Sequence, residues 1–300
     1  MKNKLPKLIV MLGPTASGKT ELAIKLAKKF NGEIVNADSR AIYCDMKVGT
    51  DRPGKNEGGV RHHLVGSLAP YSEFSLAEYK KLAVDKINDI LKRGKQPFLV
   101  GGTWLYISAI TNNLEIPSVK PNKVWRKSQE KFESETLYKK LQKLDPKAAE
   151  RIHPNDKRRI IRALEVINFS GKKISEQQKK GAPIFNVLKI GIKRDLSEVE
   201  KRVRGRIKTK MGDALIRETR RLLKKYSLKL PAMSGLGYPE MTRYIKGELS
   251  KKEAFELLAK NTRRFARYQT NTFRQDKKIK WVKGATDAAE KIKKFIKNSG

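Results

Sequence analysis

The segment Gly13–Thr20, GPTASGKT, constrains this chain more than any other stretch of its sequence. A run of apolar β-formers, Leu8–Leu12, leads into it. Thr20–Lys29 leaves it with helical spacing, Leu22, Leu26 and Ala27 falling on one face. Strand, loop and helix in that order direct backbone N–H groups and a helix N-terminus at an anion. The segment satisfies GxxxxGK[ST], in which the lysine (Lys19) sets a charge on the phosphates and the following hydroxyl (Thr20) can ligate Mg²⁺. The expected phosphate-binding residues are Gly13, Pro14, Thr15, Ala16, Ser17, Gly18, Lys19 and Thr20, with Thr20 the metal ligand. The loop alone does not say which phosphate ester it holds.

Such a loop needs a sheet to stand on. Glu33–Asn36 reads as a second strand, residues 49–60 as loop, and Leu76–Leu91 as an amphipathic helix closed by Gly94. Pro97–Val100 reads as a third buried strand ending at Gly101-Gly102-Thr103, with a helix after it. Strands alternating with helices predict a parallel sheet covered on both faces, with ligands at the carboxyl ends of its strands. Gly13, Asp38 and Thr103 each lie just past such an end. From about Ile116 the pattern becomes purely helical (122–180), until Val187–Ile192 returns to strand character. The expected fold is α/β: a P-loop NTPase-like core with a parallel sheet flanked by helices, plus an all-helical insertion domain. Residues 1–115 begin the core and 116–184 form the insertion. Residues 185–300 complete the core with basic helices (196–226, 250–270) and a weakly patterned tail, 284–300.

The formal charge is +37, distributed as +7 over residues 1–115, +10 over 116–185 and +20 over 186–300. A uniform lysine bias would not spare the first third, so the gradient points to a polyanionic partner, nucleic acid first. The single cysteine, Cys44, excludes an internal disulfide and a Cys-based metal site, and reads as a small apolar filler. No run approaches the length of a membrane span. The apolar stretch near the start runs directly into the phosphate loop, which makes it a strand rather than a leader. A cytoplasmic monomer is expected.

An ordinary P-loop ATPase carries an acid at the end of a buried strand. Here the most apolar strand ends in Gly-Gly-Thr, and the acid follows the second strand, as Asp38 in NADSRAIY. Asp38 can serve a nucleophile or a cation, or cap the segment that follows it. With these pieces go HHLV (62–65), FLVGGTWLY (98–106), RIHPNDKRRIIRALEV (151–166), GLGYPEM (235–241) and TRRFARYQTNTFR (262–274). In this order, over roughly residues 6–275, they resemble the tRNA dimethylallyltransferase family, bacterial type.

The resemblance implies transfer of a dimethylallyl group from dimethylallyl diphosphate to the exocyclic amine of an adenosine in tRNA. That adenosine is the one 3′-adjacent to the anticodon, in tRNAs reading U-initial codons. It implies catalytic roles for Asp38 as base or hydrogen-bond acceptor, for Thr103 beside the amine, and for Arg220 near the diphosphate, with Mg²⁺ as cofactor. It places the tRNA anticodon stem-loop on Asp38, Ser39, Arg40, Ala41 and Thr103, and on Arg126, Arg158, Arg159, Ile160, Ile161 and Arg162 of the insertion. Gly237, Tyr238, Arg267, Gln269 and Arg274 complete that set. The chain departs from the family at Tyr268, where Arg is common, at Thr272, where Trp is common, and at Trp104, a bulkier residue expected to narrow the prenyl pocket. Three other readings stand beside it: an adenylate isopentenyltransferase acting on free nucleotide, a P-loop nucleotide kinase, and a non-enzymatic RNA-binding protein. The basic insertion disfavours the first and the missing acid after PFLV the second.

Overall fold

The computed structural model describes residues 4–177 and 179–298. Met1–Asn3 of the expected first segment, Gln178 of the insertion, and Ser299 and Gly300 of the tail lie outside it. The chain divides into two compact units, one of residues 1–111 with 184–300, the other Asn112–Pro183.

The first unit is built on a sheet of β1 (Lys7–Leu12), β2 (Gly32–Asn36), β3 (Asn56–Glu57), β4 (Val60–His63), β5 (Gln96–Gly101), β6 (Asn186–Ile192) and β7 (Lys280–Val282). Their order is β3-β4-β2-β5-β1-β6-β7, and every pairing is parallel except the short β3–β4 turn. Helix α1 (Lys19–Lys29) and α13 (Ala285–Lys297) supply one hydrophobic layer, with Ile9, Met11, Ile34, Phe98 and Val100 facing Leu26 and Ile292. Helices α2 (Leu76–Lys92) and α3 (Trp104–Thr111) cover the other face, over Leu8, Val10, Val35 and Leu99. Helix α2 opens with a complete capping box, Ser75 and Glu78 satisfying each other's N–H groups.

A third apolar cluster joins the stretch after β2 to the C-terminal helices α9 (Leu196–Arg206), α10 (Gly212–Lys225), α11 (Tyr238–Ile245) and α12 (Lys251–Arg274). Ile42, Tyr43 and Met46 pack there on Leu215, Met233, Tyr238 and Leu258. The expected continuous helix over 196–226 is interrupted by a wide π-type turn, Ile207–Met211. Residues 49–60 are not all loop, because the β3–β4 turn begins there. The tail is not weakly patterned: Ala288, Ala289 and Ile292 bury one face of α13. Cys44 is exposed rather than a filler.

The second unit contains α4 (Lys123–Gln129), α5 (Ser134–Leu144), α6 (Pro146–Ala149), α7 (Lys157–Ser170) and α8 (Ile174–Gln177). Its core is Leu137, Leu141, Ile160, Ile161, Leu164 and Val166. Two buried carboxylates fix the connections. Asp145 caps α6 and accepts from the N–H and hydroxyl of Ser175, at 2.9 and 2.7 Å. Glu165, wholly buried in α7, accepts from the Asn122 N–H, from Nε and Nη2 of Arg126, and from Nη1 of Arg162.

Candidate active site

The phosphate loop lies where β1, buried along nearly its whole length, hands over to α1. Gly18 sits immediately before the helix at φ +84°, a left-handed conformation that a side chain would strain. The turn closes through the Ser17 N–H to the Pro14 carbonyl, 3.2 Å, and Arg194 Nε donates to the Ser17 carbonyl at 3.1 Å. Burial pushes the Lys19 ammonium below its ordinary pKa, the carboxylates of Asp38 and Asp51 oppose the shift, and the Arg206 cation adds to it. An anion bound at the loop would restore the charge.

Asp38 opens a tight turn rather than a helix. Its Oδ1 accepts from the Arg40 N–H at 2.8 Å and more weakly from Ala41 N–H at 3.4 Å, which closes that turn. Asn36 pins it from below, accepting from the Asp38 N–H and donating to the carbonyls of Asp38 and Leu64. Thr103 Oγ1 accepts from the Ser39 N–H at 3.0 Å and donates to the Ser39 hydroxyl at 3.3 Å, tying the end of β5 to the same turn. Gly101 is required there, since an added Cβ would lie 2.1 Å from the Ala37 carbonyl oxygen.

A pocket of about 210 Å³ opens between these segments. Its lining brings Lys19, Thr20, Arg202 and Arg206, the last paired with Asp51 at 3.0 Å, together with Ile34, Ala41, Val65, Val100 and the carboxylate of Asp38. Such a lining suits a ligand that carries both an anionic group and an apolar one. The stretch 47–51, whose Thr50 and Asp51 line the pocket, is held by buried Glu218, which accepts from the N–H groups of Lys47, Val48 and Gly49 and from the Tyr238 hydroxyl.

The sequence profile of the IPP transferase family matches residues 41–276. The chain belongs to that family. It is 41% identical to a tRNA dimethylallyltransferase of Acetivibrio thermocellus, covering 98% of this chain and 97% of that one. It is 42% identical to another of Halothermothrix orenii, covering 97% and 91%. The full-length tRNA isopentenylpyrophosphate transferase of Bacillus halodurans superposes with a TM-score of 0.71 at 33% identity, over 97% of this chain and 95% of that one. A eukaryotic dimethylallyltransferase acting on tRNA superposes with a TM-score of 0.73 at 27% identity, over 89% and 69%.

The expected site residues separate into those that meet and those that do not. The loop residues Thr15, Ala16, Gly18, Lys19 and Thr20 line the pocket with Asp38 and Ala41. Arg220 does not: it lies exposed on α10, and Arg202 and Arg206, one turn apart on α9, take the pocket wall instead. Their signal was the i, i+4 spacing in RVRGR, indistinguishable in sequence from the arginines around it. Trp104 packs edge-on to Phe273 under the Lys189 ammonium and does not line the pocket.

Several residues expected on the RNA are buried. Ile160 and Ile161 are core residues of the second unit, so their side chains hold α7 rather than meet a ligand. Tyr238 is fully buried against Glu218 and sits 2.6 Å from where a Gly49 Cβ would stand, while Gly237 immediately precedes α11 at φ +99°. Gln269 bridges the Thr15 N–H (2.8 Å) and the Gly102 carbonyl (2.9 Å). Arg126 and Arg162 are committed to Glu165, and Arg40 to the Pro231 carbonyl and the Ser234 hydroxyl. Exposed and available are Arg158 and Arg159 on α7, the latter paired loosely with Asp156, and Arg267 and Arg274 on α12.

Proposed function

We propose that the chain transfers a dimethylallyl group from dimethylallyl diphosphate to the exocyclic amine of the adenosine 3′-adjacent to the anticodon, in tRNAs reading U-initial codons. The observation that carries this reading is the pocket itself, where phosphate-loop residues, cations, apolar side chains and the Asp38 carboxylate line one cavity.

The allylic C1–O bond breaks with its electron pair leaving on the diphosphate. The N–H groups of Ala16, Gly18, Lys19 and Thr20, the Lys19 ammonium and the pocket arginines take up that charge, which is electrostatic stabilisation of the transition state. The amine nitrogen forms the new bond to C1 and its proton passes to Asp38, whose second carboxylate oxygen is not used in the turn. Thr103, bonded to the Ser39 hydroxyl, fixes the amine beside that oxygen. The donor set at Thr20 fits Mg²⁺: a lone hydroxyl is an ordinary share for an ion that keeps its waters and takes phosphate oxygens. When bound, Mg²⁺ supplies further neutralisation of the leaving diphosphate. The adenine leaves the loop stack to reach Asp38. Arg158, Arg159, Arg267 and Arg274 meet RNA phosphates, which position the substrate without reading its sequence. The proposed working unit is a single chain in the cytoplasm, where tRNA is found.

The test is incubation with labelled dimethylallyl diphosphate, Mg²⁺ and unmodified tRNA, with AMP and ATP present as competing acceptor and donor. Label is expected on tRNA. Label on AMP alone identifies a free-nucleotide prenyltransferase, and phosphate transfer from ATP identifies a kinase; either outcome overturns the proposal.

A further inference from the structure

Past Glu256, helix α12 carries Lys260, Arg263, Arg264, Arg267 and Arg274 and no acid. Its segment 264–268, RFARY, sets cations and aromatic rings side by side. With 3.6 residues to a turn, Arg267, Arg264, Tyr268 and Phe265 follow one another round an arc of about 160°. The buried stripe, Thr262, Ala266, Gln269 and Phe273, lies on the other side of the helix. All four residues of the arc are exposed, Tyr268 to 60% and Phe265 to 41%.

A single exposed aromatic residue is ordinary. Here two stand one turn apart, and among the described residues neither ring has an aromatic partner. Arg264 and Arg267 likewise have no acidic partner among the described residues, whereas Arg263 is drawn to Glu200 at 3.4 Å. The charge of this face selects a polyanion. Its rings select one with uncovered bases, because duplex bases are stacked on both faces while loop bases are free to stack on an aromatic side chain.

The next residue fixes where the face stands. Gln269 donates to the Gly102 carbonyl and accepts from the Thr15 N–H, so it clasps the end of β5 to the phosphate loop. Gly102 immediately precedes Thr103, and the Tyr268 Cα lies about 3.8 Å from that of Gln269. The exposed ring therefore begins one residue from a clasp on the active site.

We infer that Tyr268 is a stacking platform for an unpaired RNA base, one of the two that flank the modified adenosine, and that Phe265 extends the same surface. The inference rests on the prenyl-transfer reading and adds to it. Drawing the target adenine out of the loop leaves each neighbouring base with one uncovered face. A ring that covers such a face lowers the cost of extraction and holds the loop in register, without touching the reacting amine. Tyr268 is thus a positioning residue, and no bond is made or broken at it.

The experiment measures binding of the full chain to a synthetic anticodon stem-loop, and prenyl transfer to that RNA, in the wild type, Tyr268→Leu and Tyr268→Phe. Tyr268→Leu should weaken binding about tenfold. Its salt dependence should stay that of the wild type, since no phosphate contact is lost. Tyr268→Phe keeps the ring and should bind within about twofold of the wild type. Stem-loops lacking the base on one side or the other of the target adenosine complete the cycle. One of them should cost the wild type about tenfold and Tyr268→Leu little more, the two deletions being non-additive. With dimethylallyl transfer intact in the wild type, three results each overturn the inference alone: unchanged affinity in Tyr268→Leu, an equal loss in Tyr268→Phe, or strict additivity with both abasic loops. A wild type that transfers no dimethylallyl group to RNA overturns the prenyl-transfer reading along with it.

Discussion

Gln269 is the residue at which structure and sequence resemblance part most sharply, and the two assign it different measurable consequences. Its side chain is 4% exposed and joins three elements: α12, the phosphate loop through the Thr15 N–H, and the end of β5 through the Gly102 carbonyl. Gln269→Leu keeps the volume and removes both bonds, leaving a donor and an acceptor unmatched. Each buried orphan costs about 1–3 kcal/mol. Thr15 is half-buried and regains part of its loss from water, so the substitution should destabilise the first unit by about 2–4 kcal/mol in urea unfolding. The loop it releases is the one that holds the diphosphate, so KM for the prenyl donor should rise about tenfold while KM for tRNA stays within about twofold. A second perturbation isolates the bridge. In Gly102→Ala the new Cβ would stand 2.5 Å from Gln269 Nε2, forcing the amide away. In a Gln269→Ala background that conflict disappears, so the two changes should be non-additive by about 1 kcal/mol or more. Unchanged stability with a higher KM for tRNA would refute the argument and return Gln269 to the RNA. Strict additivity of the pair would show that the bridge carries no energy.

Asp38→Asn keeps an oxygen for the Arg40 N–H, so the turn should survive while proton acceptance is lost. A fall in kcat of about 10²- to 10⁴-fold at unchanged tRNA affinity is expected, and an Asn variant with full kcat removes Asp38 from the chemistry. Replacing Arg158 and Arg159 together by Ala should weaken tRNA binding and reduce the slope of log K against log salt by roughly one for each phosphate no longer neutralised; an unaltered slope places the RNA elsewhere. Glu33 is held well below the usual carboxylate range by its hydrogen bonds to Arg93, Lys95 and His63, against the opposing effect of burial. Its contribution is therefore present above its unfolded pKa of about 4.3 and lost as pH falls through the folded one. Glu33→Gln should cost about 3 kcal/mol at pH 7, and its gap from the wild type should narrow as pH drops below about 4. A gap equal at pH 7 and pH 3 would contradict the assignment.

The first half of the core was legible because its strands are apolar runs stopped by glycine or by Asp38, and buried parallel strands read that way. Pro97–Val100 was placed within β5, Gln96–Gly101, and Leu76–Leu91 within α2, Leu76–Lys92. Strand β4 was not legible. Its sequence is VRHH, and both histidines are buried, His63 against Glu33 far back in the chain and His62 with its Nδ1 on the Val60 carbonyl. Strand β7, three residues long at the edge of the sheet, gives no periodicity to count. The break at Ile207–Met211 was invisible for another reason: a wide turn keeps both the apolar spacing and the helical propensity of its neighbours.

The site shows the same division at the level of single residues. Asp38, Thr103 and the phosphate loop could be found because each sits just past a strand end, and topology alone carries such ends to one place. The motifs further along marked the right segments without separating the residues that touch a ligand from those that hold the touching residues still. On α12, Gln269 faces the phosphate loop while Arg267 and Arg274 face solvent. On α7, Ile160 and Ile161 are core, Arg162 is committed to Glu165, and Arg158 and Arg159 stand free of the core. Helical periodicity should have made that separation, since a residue flanked by exposed arginines at helical spacing cannot share their face. Applied to RIIRALEV, the 3.6-residue period by itself puts Ile160, Ile161 and Leu164 on the inner stripe. Gln269 is harder, because a buried glutamine on an otherwise polar helix has no periodic signature. Only the unpaired N–H of a glycine-poor loop corner, which something must satisfy, calls for a side chain like it.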